Sequence, residues 1–495
     1  MASGAQWVAA SAVGEKLIGF AATVVLARLL VPEEFGLFAL AFVAMDALGA
    51  LKNLGLDAAI VQRRDRVEQA ADAAFLLLPA VSTGLFLLLL LAAPVVAGWL
   101  GTPKVAGPLR GLAFALVIVS LGAVPNALQQ KSMRFRERVT ATLLGAVAGS
   151  VVAIVLALAG WGVWGLVAAY LLRTTVTSGV CWLQVEWRPH MRFDRPLLSE
   201  MLGFSKYVVA ANLLSAVAGS VDKVVVGRLL GPAAVGFYSL AYGLAFVFRG
   251  EVGPRLYQVA FPAFAEVQDD RERLQRGVRR VVQVLLSVAL PFAVLIGLLS
   301  RDALAVAYGT RWTVAAPVLT ALAVGGAFSG LATGLYPLLL ARGRSKALLF
   351  LNVGELAIFL CVAPWAIARA GLVGAGAATA ISVGASTVIK AAVVSRDLSM
   401  GWHDWVRAAR SPLLAAATMA AAALVAKTLI GVAVLGLTPL WNVATVGGIA
   451  IVVYCVVLWA SDAEMTRWLA AWLIGPLRRM FGGQVPAASH SERMS

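Results

Sequence analysis

Charge and cysteine are what this chain has least of. Only 13% of its 495 residues are charged and three are cysteine. Soluble domains carry about 25% charged residues, so a water-facing surface of ordinary size cannot be covered with what is here. Cys181, Cys361 and Cys455 lie far apart inside apolar runs, which argues against a disulfide framework and against paired-cysteine metal ligation. His190, His403 and His490 are equally isolated, so no metal site is expected. There is no Gly-x-x-x-x-Gly-Lys-Ser/Thr phosphate loop and no His-Glu-x-x-His helix. Direct ATP use, zinc hydrolysis and a bound cofactor are therefore not expected. The connecting loops are too short to cluster Arg, His and carboxylates outside a membrane, so an enzyme is the weaker reading.

What the chain does have is apolar length. Hydrophobic residues make up 61%, and stretches of about 20 apolar residues recur, the length of a membrane-crossing helix. Residues 85–91 and 151–158 are apolar without alternation, unlike the strands of a β-barrel. An all-α integral membrane protein with about 14 transmembrane helices follows. The spans are placed at about 6–30, 35–60, 73–100, 109–127, 139–159, 161–185, 204–230, 234–258, 281–300, 313–340, 346–368, 371–395, 411–435 and 441–460. Residues 1–14 carry no basic n-region, so the first segment reads as a retained span rather than a signal peptide.

The formal net charge of +16 falls in short loops, which fits anionic lipid headgroups better than nucleic acid. Loops rich in Arg and Lys (63–66, 131–138, 188–195, 271–280, 342–346 and 396–410) alternate with loops that are poor in them. The basic set is expected on the cytoplasmic side, with both termini inside. The location expected is the cytoplasmic (inner) membrane of a bacterium.

One pattern is written twice. Leu26-Ala27-Arg28-Leu29-Leu30-Val31-Pro32 is answered 200 positions later by Val226-Gly227-Arg228-Leu229-Leu230-Gly231-Pro232, and Gly36, Leu40 and Ala41 by Gly236, Leu240 and Ala241. Gly162-Val163-Trp164-Gly165 is echoed by Gly371-Leu372-Val373-Gly374. An even number of spans separates the copies, so both run the same way. Two parallel six-helix lobes, 1–200 and 201–397, are expected around a central cavity, related by a pseudo-two-fold axis along the membrane normal. Residues 398–462 add transmembrane helices 13 and 14. Residues 463–495 form an interfacial amphipathic helix and a flexible tail, and 264–284 are a second amphipathic stretch.

Ionisable residues inside spans are costly and usually face a cavity or a partner. Glu15 and Lys16 fall in span 1. Asp46, Asn53 and Asp57 fall in span 2, spaced to share one helical face. Asp222 and Lys223 fall in span 7, Arg249, Glu251 and Arg255 in span 8, and Glu355 in span 11. Spans 1, 2, 7 and 8 are the equivalent pairs of the two copies, the expected lining of a cleft. Arg28 and Arg228 stand at the outer ends of the repeat, as gate residues or as caps on helix C-termini.

Other segments carry a family resemblance. Asn53-Leu54-Gly55-Leu56 with Val61-Gln62-Arg63, Pro125-Asn126-Ala127-Leu128-Gln129-Gln130-Lys131-Ser132-Met133-Arg134-Phe135 and Asp222-Lys223-Val224-Val225-Val226-Gly227-Arg228 resemble the Wzx-type flippases of the multidrug/oligosaccharidyl-lipid/polysaccharide superfamily. Phe261-Pro262-Ala263-Phe264 and Ala341-Arg342-Gly343-Arg344-Ser345 fit the same pattern. Spans 13 and 14 look like the exopolysaccharide or lipid II branches of that superfamily. The resemblance implies a transporter that flips polyprenyl-diphosphate-linked oligosaccharide between leaflets. Lys16, Lys223, Arg249 and Arg255 are then candidates for the diphosphate. Glu15, Asp46, Asn53, Asp57, Asp222, Glu251 and Glu355 are candidates for sugar hydroxyls or for a coupling ion, H+ or Na+. Expected partners are the lipid-linked cargo, membrane lipids and a polysaccharide polymerase or export machinery. The competing readings are a cation-coupled multidrug exporter of the same fold and, further off, a membrane oligosaccharide polymerase.

Overall fold

A computed structural model describes residues 2–52, 54–190, 194–433 and 439–462. Among them there are helices and no strands. In a bilayer every backbone N–H and C=O must be satisfied within the segment, and helices do this alone. The elements are α1 (Ala2–Leu29), α2 (Pro32–Lys52), α3 (Leu56–Gln62), α4 (Val67–Trp99), α5 (Ala106–Lys131), α6 (Phe135–Leu158), α7 (Val163–Gln184) and α8 (Arg195–Ala218). They continue with α9 (Val221–Leu230), α10 (Pro232–Ala245), α11 (Gly253–Glu266), α12 (Arg271–Ala307), α13 (Ala316–Ala341), α14 (Ser345–Leu398), α15 (Trp402–Ala433) and α16 (Pro439–Ser461).

Among the described residues helix makes up most of each expected span, and ten helices are long and apolar enough to cross a membrane. The longest, α14, holds two of the expected spans in one 54-residue element. Gly371 divides them with φ 54°, ψ −131°, a conformation open to glycine but strained for residues with a Cβ. Just beyond it Gly374 lies against the Ala366 carbonyl, where a side chain would collide with backbone. Large apolar side chains such as Leu91, Leu183 and Phe350 are 73–85% exposed, as expected where lipid is the solvent.

Four expected features come out differently. Span 2 is not one helix: Leu54 and Gly55 both have positive φ (47° and 67°), so α2 ends at Lys52 and α3 starts afresh. Span 7 is interrupted between α8 and α9 at Gly219 and Ser220. Span 8 passes through a π-helical turn at Phe248–Val252, a distortion common at functional sites. Residues 264–284 are not one amphipathic helix, because the chain breaks between α11 and α12 at 267–270. The proposed interfacial helix after residue 462 lies outside the described residues.

The chain forms two compact units. The first is 1–244 with 304–322 and 352–382; the second is 245–303, 323–351 and 383–495. In the first, Asp72 is buried and accepts hydrogen bonds from Trp187 Nε1 (3.2 Å) and the His190 amide (3.1 Å). Lys131, the last residue of α5, donates to the carbonyls of Val61 (3.3 Å) and Arg63. The second unit has a comparable staple: Arg342 donates to Gln268 O (2.9 Å) and to Asp397 (2.8 Å), which also receives Arg344 (2.6 Å). There α15 and α16 pack as a pair around Met419 and Ala450, against Leu299 of α12. The Tyr454 hydroxyl donates to Ser287 O at 2.8 Å. The basic motifs that prompted the family resemblance thus fasten loops to helix ends.

Substituting Gly374 by valine should destabilise the turn in α14 by about 1–3 kcal/mol through overpacking. Fluorescence-detected melting of the purified protein would show a lower midpoint; an unchanged midpoint would mean that the close approach at Ala366 is dispensable.

Candidate functional site

The two copies of the repeat meet each other. Pro32 and Pro232 each occupy the first position of a helix, where the missing N–H costs nothing. One turn on, Gly36 packs on the Pro232 carbonyl and Gly236 packs on the Pro32 carbonyl; a Cβ at either would collide with that oxygen. The contact is reciprocal, as a two-fold axis demands. The arginines cross over in the same way. Arg28 of the first copy donates to Val306 O (2.6 Å) and Ala307 O (3.3 Å) at the end of α12. Arg228 of the second copy donates to Trp99 O at the end of α4 and lies 5.7 Å from the Trp99 ring centroid. Both cap orphaned carbonyls at helix C-termini, where cations are favoured. Buried Trp312 completes this end. Its Nε1 donates to Ala27 O (2.6 Å), and Phe35 and Phe237 meet its ring edge-on.

Beside this contact lies a cavity of about 450 Å³, within the range of small-ligand sites. Its wall is built from equivalent positions of the two copies: Thr23 and Lys223, Ala39 and Ser239, Phe42 and Tyr242, Val43 and Gly243. Phe20, Phe35, Phe38 and Tyr308 add an aromatic lining. Among the described residues Lys223 is its one charged member, with its ammonium 5.6 Å from the Tyr242 ring centroid. The architecture is symmetric and the charge is not.

The second copy carries a further asymmetry. Asp222 lies in the first turn of α9, just after the break in span 7, with one oxygen accepting the Lys223 amide at 2.8 Å. A carboxylate is stabilised at a helix N-terminus. Its other oxygen accepts from Tyr238 Oη (3.0 Å), which in turn bonds Thr379 Oγ1 (2.8 Å). All three residues are buried. In the first copy the matching positions are Ala22 and Phe38, both apolar. The polar chain is therefore a departure from the repeat. Tyr238 and Thr379 were not among the residues singled out from sequence. Aligning the copies and asking where they differ reveals Tyr238.

The other expected site residues are dispersed. Lys16 is exposed on α1, one and two turns from Phe20 and Thr23 on the same helical face. Asp46 is exposed on the face of α2 that carries Phe35, Ala39 and Phe42. Glu15 pairs with Arg173 at 2.5 Å, a cation eleven residues into α7 that the sequence reading passed over. Asp46 and Asp57 do not share one continuous helical face, because the turn at Leu54 and Gly55 resets the helical phase. Asp57 instead accepts the Ala58 amide at 2.9 Å in the first turn of α3. Asn53 and the side chains of Glu251 and Arg255 lie outside the described residues. Arg249 is exposed in the π turn of the second unit, and Glu355 is half-buried in the first.

Residues 25–317 match the model of a family described as polysaccharide biosynthesis protein. The chain belongs to that family. Among its relatives is the lipopolysaccharide biosynthesis protein WzxC of Escherichia coli strain K12, 25% identical over 72% of this chain and 73% of the relative. Another is the succinoglycan biosynthesis transport protein ExoT of Rhizobium meliloti strain 1021, 27% identical over 64% of each. The fold is similar to the lipid II flippase MurJ in an inward closed conformation, at TM-score 0.75 and 11% identity over 92% of this chain and 99% of that one. The family match runs from the first copy of the repeat through the second to Trp312, so it contains every residue of the reciprocal contact.

Replacing Tyr238 by phenylalanine removes one buried hydrogen bond to Asp222 and the link to Thr379. A loss of about 1–3 kcal/mol is expected, read as a lower melting midpoint. Phe38→Tyr, at the matching position of the first copy, should give no compensating gain; equal melting of wild type and Y238F would remove the polar chain from the account.

Proposed function

We propose that this protein flips polyprenyl-diphosphate-linked oligosaccharide repeat units from the inner to the outer leaflet of a bacterial cytoplasmic membrane, for exopolysaccharide, O-antigen or capsule assembly. The observation that carries the reading is Lys223: one fixed cation in an aromatic cavity at the junction of two sequence repeats. A diphosphate needs an opposing charge in a low-dielectric site, aromatic faces suit sugar rings and isoprenoid carbons, and the tail can remain in lipid. Lys16 extends the basic surface along α1. Family membership and the transport role named for ExoT support a carrier over an enzyme.

The mechanism proposed is alternating access by two lobes, 1–200 and 201–397, with 398–462 as added helices. Basic loops face the cytoplasm, as do both termini, which puts the Gly36–Gly236 contact at the outer end. Arg28 and Arg228 are its gate residues: each holds a helix end belonging to the other copy, so opening must release both. Glu15, Asp46 and Asp222 are assigned to sugar hydroxyls or to a coupling ion, H+ or Na+. A cation-coupled drug exporter would favour an acidic cavity, and Lys223 weighs against it.

Lys223→Gln at equal expression should reduce surface polysaccharide about tenfold or more, with lipid-linked repeat units accumulating in the inner leaflet. Lys223→Arg should retain part of the activity. Undiminished export in K223Q would refute the cationic site.

A further inference from the structure

α15 is longer than a bilayer requires. Its 32 residues rise about 48 Å, against about 30 Å of hydrocarbon. From Leu413 to Ala426 it carries no charge, whereas its first residues include His403, Asp404, Arg407 and Arg410. That charged start, 402–411, belongs at the depth of the lipid headgroups. It is fixed to the second unit on one side. Asp404 pairs with Arg279 of α12 at 2.8 Å and accepts the Gly401 amide at 3.0 Å. Trp405 Nε1 donates to Ser395 Oγ at 2.7 Å, Gln283 Nε2 reaches Ser411 Oγ at 3.4 Å, and Ala408 is buried.

The other face is open. Trp402, Val406 and Leu413 share it at helical spacing and are 67%, 49% and 51% exposed. Arg410 borders this apolar stripe and Arg407 follows around the helix, both exposed. Arg396, beside Ser395 in the last turn of α14, is exposed too. Other arginines of the unit are committed to the protein itself: Arg271 to Leu398 O (2.9 Å), Arg273 to Asp270 (2.9 Å), and Arg342 and Arg344 to Asp397 (2.8 and 2.6 Å). Arg396, Arg407 and Arg410 make no hydrogen bond or ion pair among the described residues. Guanidinium groups beside an exposed tryptophan and an aliphatic stripe match a phosphate that carries acyl chains. A zwitterionic lipid would bring its own ammonium to the arginines. The chain's own tail is a poor match in charge, since residues 463–480 hold Arg467, Arg478 and Arg479 against Glu464 alone.

We infer that the start of α15 is a docking site for an anionic phospholipid of the adjacent leaflet. The lipid phosphate meets Arg407 and Arg410, with Arg396 close by along the chain, and an acyl chain lies along Trp402, Val406 and Leu413. The bound lipid holds the α15–α16 pair at the membrane surface. This assignment does not depend on what the cavity at Lys223 carries.

Native mass spectrometry of the full-length chain in detergent tests it, with dioleoylphosphatidylglycerol and dioleoylphosphatidylcholine as probes that share their acyl chains. Wild type should retain the anionic lipid more strongly. R407Q/R410Q should weaken that binding about fivefold per charge, about 25-fold in all. The same variant should retain the zwitterionic lipid as wild type does, which also shows it to be folded. R301Q/R311Q, which removes two exposed arginines elsewhere, should behave as wild type. Glycerol 3-phosphate at equal concentration should not displace the lipid. Equal retention of the two lipids by wild type would mean that the chain's own tail covers the face, and overturns the proposal. Undiminished binding in R407Q/R410Q, loss of both lipids together, or an equal loss in R301Q/R311Q overturns it as well. Displacement by glycerol 3-phosphate would point to a soluble phosphorylated partner and overturn the lipid assignment.

Discussion

Two glycines placed 200 residues apart and packed on each other's proline carbonyls hold the organisation of the first unit. No other residue type fits, since any Cβ at Gly36 or Gly236 would strike backbone. The contact brings α2 and α10 together at their starts and sets the neighbouring side chains at matching heights. Equivalent residues of the two copies then line one aromatic cavity. The crossed arginines follow from the same symmetry: each reaches the carbonyl end of a helix that the other copy's own half supplies.

Function in a duplicated protein is expected where the copies disagree. Here Thr23 becomes Lys223, Ala22 becomes Asp222 and Phe38 becomes Tyr238. Of these, Lys223 lines the cavity, while Asp222 and Tyr238 are buried in the same copy. The break between α8 and α9 makes this possible by presenting a helix N-terminus to Asp222, which offsets the cost of burying a carboxylate. Broken helices near a repeat interface are the usual way a membrane protein builds a polar site without leaving backbone groups unsatisfied.

Much of this was legible in the sequence. Apolar runs located the helices, and the Arg-Leu-Leu repeat found the contact region and Lys223. Hydropathy reports residue character and not backbone direction, so Asn53-Leu54-Gly55 read as a continuation of span 2 although Gly55 marks a left-handed turn. The π turn at Phe248–Val252 leaves no compositional trace. Tyr238 and Thr379 were missed because a hydroxyl in an apolar helix does not stand out, and Arg173 because its partner Glu15 is 158 residues away. Long-range pairing of this kind is visible only once the helices are packed.

The most direct test of the account is whether the two copies separate at their glycine contact when cargo is present. Spin labels at Leu29→Cys and Leu229→Cys, in a chain with Cys181, Cys361 and Cys455 replaced, report the distance between matching positions by pulsed electron resonance in nanodiscs. The account predicts a single short distance without cargo and a second, longer population on adding a polyprenyl-diphosphate-linked saccharide. A short distance that stays unchanged with cargo, in a protein that still supports export in cells, would contradict it.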